Sequence, residues 1–361
     1  MPTLPELRQA IDSVDDDLLK LLNQRAKLVK EVGAIKAALK QPFYVPEREA
    51  QIVARLEDAN AGPFPTDAIR AVFSEVISAC LSLESPLRVA FLGPEATFTH
   101  MAARARFGLS ARYVPAATIA GVFAEVDKGL AELAVVPIEN STEGVVNSTL
   151  DMFLDSSLQI SAEILLEVSH CLLTRSGSLD GVQKVYSHPQ ALAQCRNWLS
   201  ANLPKAAPIE VASTALAARL AKDDPVAAAV ASELAGQLYN LRVAKRKIED
   251  EVRNVTRFLV VGREPAQPSG RDKTSLMLSV KDQAGILHRV LKPLAEAGIN
   301  LTRIESRPSR RRPWEYVFFL DLDGHATEPA VARALAALGA ACDEVKVLGS
   351  YPRAELLGAT T

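Results

Sequence analysis

From residue 4 to residue 39 the apolar positions recur at helical spacing: Leu4, Leu7, Ile11, Val14, Leu18, Leu21, Leu22, Leu28, Val29, Val32, Ile35 and Leu39, with Gly33 the one potential breaker. The spacing predicts a single helix, and at 1.5 Å per residue it would run roughly 55 Å. A helical segment of under about a hundred residues cannot cover so long a stripe by itself, so a second copy of the chain is expected against it. A shorter helix is predicted after Pro46, carrying Ile52, Val53 and Leu56. A third is predicted from about Thr66, with Ile69, Val72, Phe73, Val76, Ile77, Cys80 and Leu81. Residues 1–86 are therefore expected to form an all-helical, dimerising domain.

Beyond Pro86 the pattern changes to short β-rich runs alternating with helical stretches, the runs falling at 89–92, 133–138, 182–186, 209–211, 226–230 and 258–261. This rhythm predicts an α/β domain over 87–263 with a largely parallel sheet and a ligand cleft beyond the strand ends. Residues 264–272 contain Pro265, Pro268 and Gly270 and no large apolar side chain, which predicts a linker. Residues 273–361 then follow the order strand (276–280), helix (286–297), strand (301–306), strand (316–322), helix (329–338), strand (344–348), a ferredoxin-like βαββαβ unit of the α+β class.

Composition narrows the function classes. The chain has 361 residues, 48% hydrophobic and 23% charged, as expected of several globular domains. No apolar run approaches the roughly 20 residues of a membrane span. The first residues form a polar, acidic helix rather than a basic segment followed by an apolar stretch, so a cytoplasmic protein is expected. Cys80, Cys171, Cys195 and Cys342 are scattered, and the five histidines form no ligand-spaced cluster, which supports neither disulfides nor a metal site. A formal charge of −2 gives no global field for nucleic acid, and Arg310, Arg311 and Arg312, between Pro308 and Pro313, are expected in a solvated turn.

Candidate chemistry begins on the first helix. At 100° per residue, Arg25 and Lys36 fall near the middle of the apolar stripe and Arg8 at its edge. A desolvated guanidinium costs several kcal/mol unless it snorkels, pairs internally or awaits an anion. Three cations on one stripe, joined by Arg48 and Glu49 at the start of the second helix and by Glu84 after the third, point to a site for a small polyanion. In these residues the segment resembles the all-helical chorismate mutase family. The resemblance implies an intramolecular rearrangement of chorismate to prephenate, in which Arg8 (from the other subunit) and Arg25 hold carboxylates and Lys36 donates to the ether oxygen. Arg48 would bind or orient, and Glu49 would accept from the substrate hydroxyl. Val45 stands where the family can have an acid and Glu84 where it often has a glutamine. Glu84 can donate to the ether oxygen only when protonated; the alternative is that it pairs with an arginine.

In the α/β segment, polar strings follow strand ends: Gly93-Pro94-Glu95-Ala96-Thr97-Phe98-Thr99-His100, then residues 137–144 with Glu139 and Asn140, then Ser187-His188-Pro189-Gln190, and finally Thr256-Arg257-Phe258. A strand, glycine turn and helix start offer free N–H groups to a carboxylate, although Thr97 or Thr99 could simply cap the helix. Together the strings resemble prephenate dehydratase, whose fold is two α/β lobes, like those of periplasmic binding proteins, around a cleft. The resemblance implies loss of water and carbon dioxide from prephenate to give phenylpyruvate, with Thr256 donating to the leaving hydroxyl. A neutral threonine is a weak acid, so Glu139 stays open as the donor. Thr97, Thr99, Asn140, Ser187, Gln194, Arg257 and Phe258 would bind or orient substrate. Ala96 replaces a glycine usual in the family.

The βαββαβ segment resembles the ACT regulatory domain. The matching positions are Asp282, Gly285, Ile286 and Leu287 before its first helix and Glu305, Ser306, Arg307 and Pro308 on its second strand. The resemblance implies L-phenylalanine as effector, bound between paired domains of a dimer or larger oligomer. Ile286 stands in place of the usual alanine and adds volume where an effector would sit. No motif implies a metal or an organic cofactor. Two other readings are carried forward: an arogenate dehydratase, and a non-catalytic small-molecule binding protein built on the same two lobes.

Overall fold

The computed structural model describes residues 2–39, 44–251, 254–281, 283–308 and 316–357. Asp282 and the arginine run 310–312 lie outside them. The chain divides into two compact units, Met1–Arg88 with Arg106–Arg112, and Val89–Ala105 with Tyr113–Thr361.

The first unit is helical, with α1 (Leu4–Leu39), α2 (Pro46–Asp58) and α3 (Thr66–Leu81). Pro46 opens α2, where its missing N–H costs nothing. Nearly the whole apolar stripe of α1 stays open to solvent: Leu4, Ile11, Val14, Leu18, Leu21, Ile35 and Leu39 are each more than half exposed. Segment 106–112 is clipped to α3 through Ser78, whose Oγ donates to the Phe107 carbonyl at 2.7 Å and accepts from the Ser110 amide at 3.3 Å. The turn requires glycine at Gly108, with φ +72° and Ser78 against the space a Cβ would fill.

The second unit opens with β1 (Arg88–Leu92), α4 (Phe98–Phe107), β2 (Arg112–Ala116), α5 (Ile119–Asp127), β3 (Leu133–Asn140), β4 (Gly144–Val145), α6 (Asn147–Asp155) and β5 (Gln159–Glu167). The chain then leaves this lobe for β6 (Cys171–Thr174), β7 (Lys184–Ser187), α7 (Pro189–Gln194), α8 (Arg196–Asn202), β8 (Ala207–Glu210), α9 (Thr214–Asp223), β9 (Ala227–Ala231), α10 (Glu233–Tyr239) and β10 (Arg242–Lys245). It returns as β11 (Val255–Gly262). The C-terminal part supplies β12 (Asp272–Val280), α11 (Ile286–Glu296), β13 (Leu301–Pro308), β14 (Tyr316–Asp323), α12 (Pro329–Ala341), β15 (Glu344–Pro352) and β16 (Leu356–Leu357).

Three sheets result, ordered β16-β5-β11-β3-β1-β2 with β4 beside β3, β10-β6-β9-β7-β8, and β13-β14-β12-β15. The expectation of a largely parallel sheet is corrected. β1 runs parallel to β3, but β11 is antiparallel to both β3 and β5. In the second lobe β7 is parallel to β8 and β9 while β6 is antiparallel to β9. The cause is the excursion itself: a chain that leaves after β5 and re-enters between β5 and β3 lays its return strand in the opposite sense.

The four-stranded sheet is covered on one face by α11 and α12, where Leu276, Leu278, Val290, Leu320 and Leu338 are buried. Its other face is not free. Met277, Val317, Phe319, Leu348 and Tyr351 share one core with Phe153, Ile160 and Leu259 of the first lobe. A Cβ on Gly349 would collide with the backbone of Ile160, so glycine permits this close approach of β15 to β5. The connection after β11 takes part in this packing, with Ala266 buried at 6% exposure.

Candidate active sites

In the helical unit, Gly33 provides the floor on which Glu84 lies: a Cβ there would meet Glu84 Cγ at 2.8 Å. Burial raises the Glu84 pKa above the usual carboxylate range, and the Lys36 ammonium opposes that shift. Glu84 Oε2 and Arg25 Nη1 are both buried without a hydrogen-bond partner among the described residues. The structure therefore places Glu84, which follows α3, against α1 near Lys36 and leaves one arginine nitrogen and one carboxyl oxygen available to a ligand. Arg8 and Arg48 are exposed. Glu49 is buried at 9% exposure and accepts from Arg106 Nη1 at 3.0 Å, an ion pair that the sequence did not suggest.

In the two-lobed unit a hydrogen-bonded cluster forms where the lobes meet. Residues 140 and 256 are register partners in β3 and β11, and Asn140 Nδ2 donates to Thr256 Oγ1 at 2.7 Å and to Asn254 Oδ1 at 2.6 Å. Asn140 Oδ1 accepts the backbone amides of Thr142 and Glu143, both at 3.0 Å. From the other lobe Gln194, at the end of α7, receives Asn254 Nδ2 at 3.3 Å on Oε1 and reaches Thr142 Oγ1 with Nε2 at 3.4 Å. His170 Nε2 lies 2.9 Å from the same Gln194 oxygen.

Other candidates are engaged elsewhere. Thr97 Oγ1 donates to the Leu92 carbonyl at 3.0 Å and accepts from the His100 amide at 3.3 Å, so its hydroxyl caps α4. Thr99 is buried at 6% exposure and Phe258 at 1%. Ser187 Oγ, fully buried, donates to the Val230 carbonyl at 2.6 Å across β7 and β9. Arg257, on the face of β11 opposite to Thr256, donates to Glu163 at 2.8 Å, to Asp321 at 2.6 Å and to Tyr351 at 3.0 Å. Lys273 Nζ joins Glu163 at 2.9 Å. The structure thus gives Arg257 to the contact with the C-terminal sheet rather than to the Thr256 cluster. Ala96 adopts φ +69°, a left-handed conformation that a glycine would take without strain.

Glu139, beside Asn140, forms an ion pair with Arg303 Nε at 3.2 Å, and Asp151 of α6 accepts from Arg307 Nη2 at 2.8 Å. Both arginines sit on β13, the strand that carries Glu305, Ser306 and Pro308. Gly285 has φ +74° ahead of α11, Ile286 packs at the edge of the C-terminal core and Leu287 is exposed. Sequence reasoning missed Asn254, His170 and Arg303. Asn254 stands two positions before Thr256 on the same approach to β11, whereas His170 and Arg303 carry no local signal.

Comparison with known proteins locates three family models in this order: chorismate mutase type II over residues 7–85, prephenate dehydratase over 89–266 and the ACT domain over 274–340. A bifunctional chorismate mutase/prephenate dehydratase of Aquifex aeolicus is 50% identical over 360 residues, covering 99% of both chains. The structure of a prephenate dehydratase from Arthrobacter aurescens in complex with L-Phe superposes with a TM-score of 0.68 at 36% identity, over 74% of this chain and 90% of that one. A protein described as a quorum-quenching acylase, GqqA, gives 0.68 at 35% identity, over 74% and 98%.

Proposed function

Since the chain belongs to the bifunctional chorismate mutase/prephenate dehydratase family, we propose that its helical unit rearranges chorismate to prephenate and that its two-lobed part converts prephenate to phenylpyruvate. The observation that carries the reading is the Asn140, Gln194, Asn254 and Thr256 cluster, which gathers residues from three separate chain segments at the meeting of two lobes.

In the first step Arg8 and Arg25 take the two carboxylates, Lys36 and protonated Glu84 face the ether oxygen, and Arg48 and Glu49 orient the substrate. The protein acts by holding a folded conformer and stabilising developing charge. Domain boundaries near 1–86, 87–263 and 273–361 fit this division of labour. The open stripe on α1 supports a second copy packed along that helix, with Arg8 crossing to its partner's site.

In the second step the bond to the ring carboxylate breaks, its electron pair enters the ring, and the hydroxide leaves with a proton as water. Aromatisation drives the reaction, and Thr256 donates to the departing oxygen. Glu139 is paired with the Arg303 guanidinium of β13 at 3.2 Å, whereas Thr256 sits in the Asn140 cluster, so the donor role goes to Thr256. L-phenylalanine is the proposed effector, bound at Gly285, Ile286 and Leu287 with Glu305 to Pro308, and the two arginines of β13 offer a physical route from there to Glu139 and α6.

The acylase description of one neighbour is not favoured here. An acyl-transfer site needs a hydroxyl beside a base. Among the described residues Thr256 faces an amide donor and Ser187 is buried against a carbonyl. Offering the purified protein prephenate and arogenate separately tests the reading: phenylpyruvate from prephenate supports it, and turnover of arogenate alone would replace it.

A further inference from the structure

The orientation of every amide in the Thr256 cluster can be assigned from one end. Backbone N–H groups can only donate, so the Thr142 and Glu143 amides make the atom of Asn140 that faces them its oxygen. The Asn140 nitrogen then faces Asn254 and Thr256, which makes the Asn254 atom opposite it an oxygen. The Asn254 nitrogen therefore faces Gln194, whose oxygen receives it, and His170 Nε2, 2.9 Å from that oxygen, must carry a proton. His170 is 2% exposed and its Nδ1 is buried with no partner among the described residues. Burial lowers its pKa, against the pull of Gln194 and Glu249, so the ring stays neutral with its one proton on Nε2.

We propose that His170 and Asn254 are positioning residues of the dehydratase, which hold the hydroxyl of Thr256 in the donor state through a one-way chain of amides. The inference rests on the dehydratase reading. With Asn140 donating to one lone pair of the Thr256 oxygen, the hydroxyl hydrogen points to the substrate rather than to Asn140, and the same chain turns the Gln194 nitrogen away from His170 and towards Thr142. Neither His170 nor Asn254 reacts. They act by closing the chain at the end opposite the Thr142 and Glu143 amides, so that the flipped arrangement, in which Asn140 would present an oxygen to Thr256 and draw its proton away, is opposed from both sides. Among the described residues, Glu249 also lies at this end of the chain, accepting from the His170 amide at 2.8 Å and from Ser169 Oγ at 3.1 Å.

The test is Asn254→Asp, which keeps the shape and replaces a donor with an acceptor. The full-length variant should retain the mutase rate of the parent, which reports folding. Its dehydratase kcat should fall at least tenfold at neutral pH and recover as the pH drops and the new carboxyl gains a proton, after subtraction of uncatalysed prephenate conversion. The parent should show no such recovery. His170→Leu should lose a similar factor, and His170→Gln, which keeps a donor near the position of Nε2, should regain most of it. A dehydratase kcat in Asn254→Asp equal to the parent's, or a loss with an unchanged pH profile, would overturn the proposal. A parent that does not consume prephenate would instead overturn the dehydratase reading.

Discussion

Asn140 donates its side-chain amide to Thr256 Oγ1 at 2.7 Å between register partners of β3 and β11. A hydroxyl whose oxygen already accepts one strong hydrogen bond has its proton free, and Thr256 is only 8% exposed, so that proton is offered in a largely dry setting.

The Thr256→Val variant, matched in shape, is expected to lose roughly 100-fold or more of dehydratase kcat, the usual range for a positioned proton donor. Thr256→Ser should keep most of it. Steady-state rates with prephenate, beside an unaltered mutase rate, measure this.

Glu84 carries a pH dependence whose sign follows from its environment. Burial raises its pKa, and only the protonated carboxyl donates to an ether oxygen. Mutase kcat/KM should therefore fall as pH rises through that pKa, while Glu84→Gln should give a flat profile. A flat profile in the parent would mean that Glu84 is not the donor.

Arg257 is expected to matter for stability more than for substrate affinity. Removing a cation from a buried network with Glu163 and Asp321 leaves carboxylates uncompensated, a loss of about 3 kcal/mol or more. Arg257→Met should lower the denaturation midpoint of the two-lobed unit, with KM for prephenate changed little below it.

Arg303 and Arg307 tie β13 to Glu139 and Asp151. If β13 moves on binding L-phenylalanine, Arg303→Ala with Arg307→Ala should weaken inhibition of the dehydratase several-fold while L-phenylalanine still binds. Calorimetry and inhibition curves on the same variant separate the two effects.

The open stripe of α1 predicts a dimer of the helical unit. Ile11→Asp with Leu18→Asp, at positions 59% and 53% exposed in the single chain, should shift the sedimentation of the protein towards a smaller species. Mutase activity should fall with it.

Much of this architecture was legible in periodicity. All three N-terminal helices follow the apolar spacing because one face of each is uniform over several turns, and the βαββαβ order is marked by clean switches between periods of two and 3.6. β5 escaped because Glu163 interrupts its apolar run, and the reason for that charge lies about a hundred residues away in Arg257 and Lys273. The antiparallel return of β11 was hidden because strand direction depends on where the chain re-enters a sheet. Members of the hydrogen-bonded cluster were readable where they sit in polar strings beside strands, as with Asn140 and Thr256. His170 and Arg303 were not, since each contacts Gln194 or Glu139 only once folding brings the partner to it. Arg257 shows the converse: it adjoins Thr256 in sequence, yet a strand sends neighbours to opposite faces.

The most direct measurement supplies purified protein with chorismate and follows prephenate and phenylpyruvate by chromatography, beside Arg25→Ala and Thr256→Ala. The account predicts phenylpyruvate from the parent, accumulation of prephenate with Thr256→Ala, and neither product with Arg25→Ala. Chorismate left untouched by the parent, with added prephenate also stable, would contradict it.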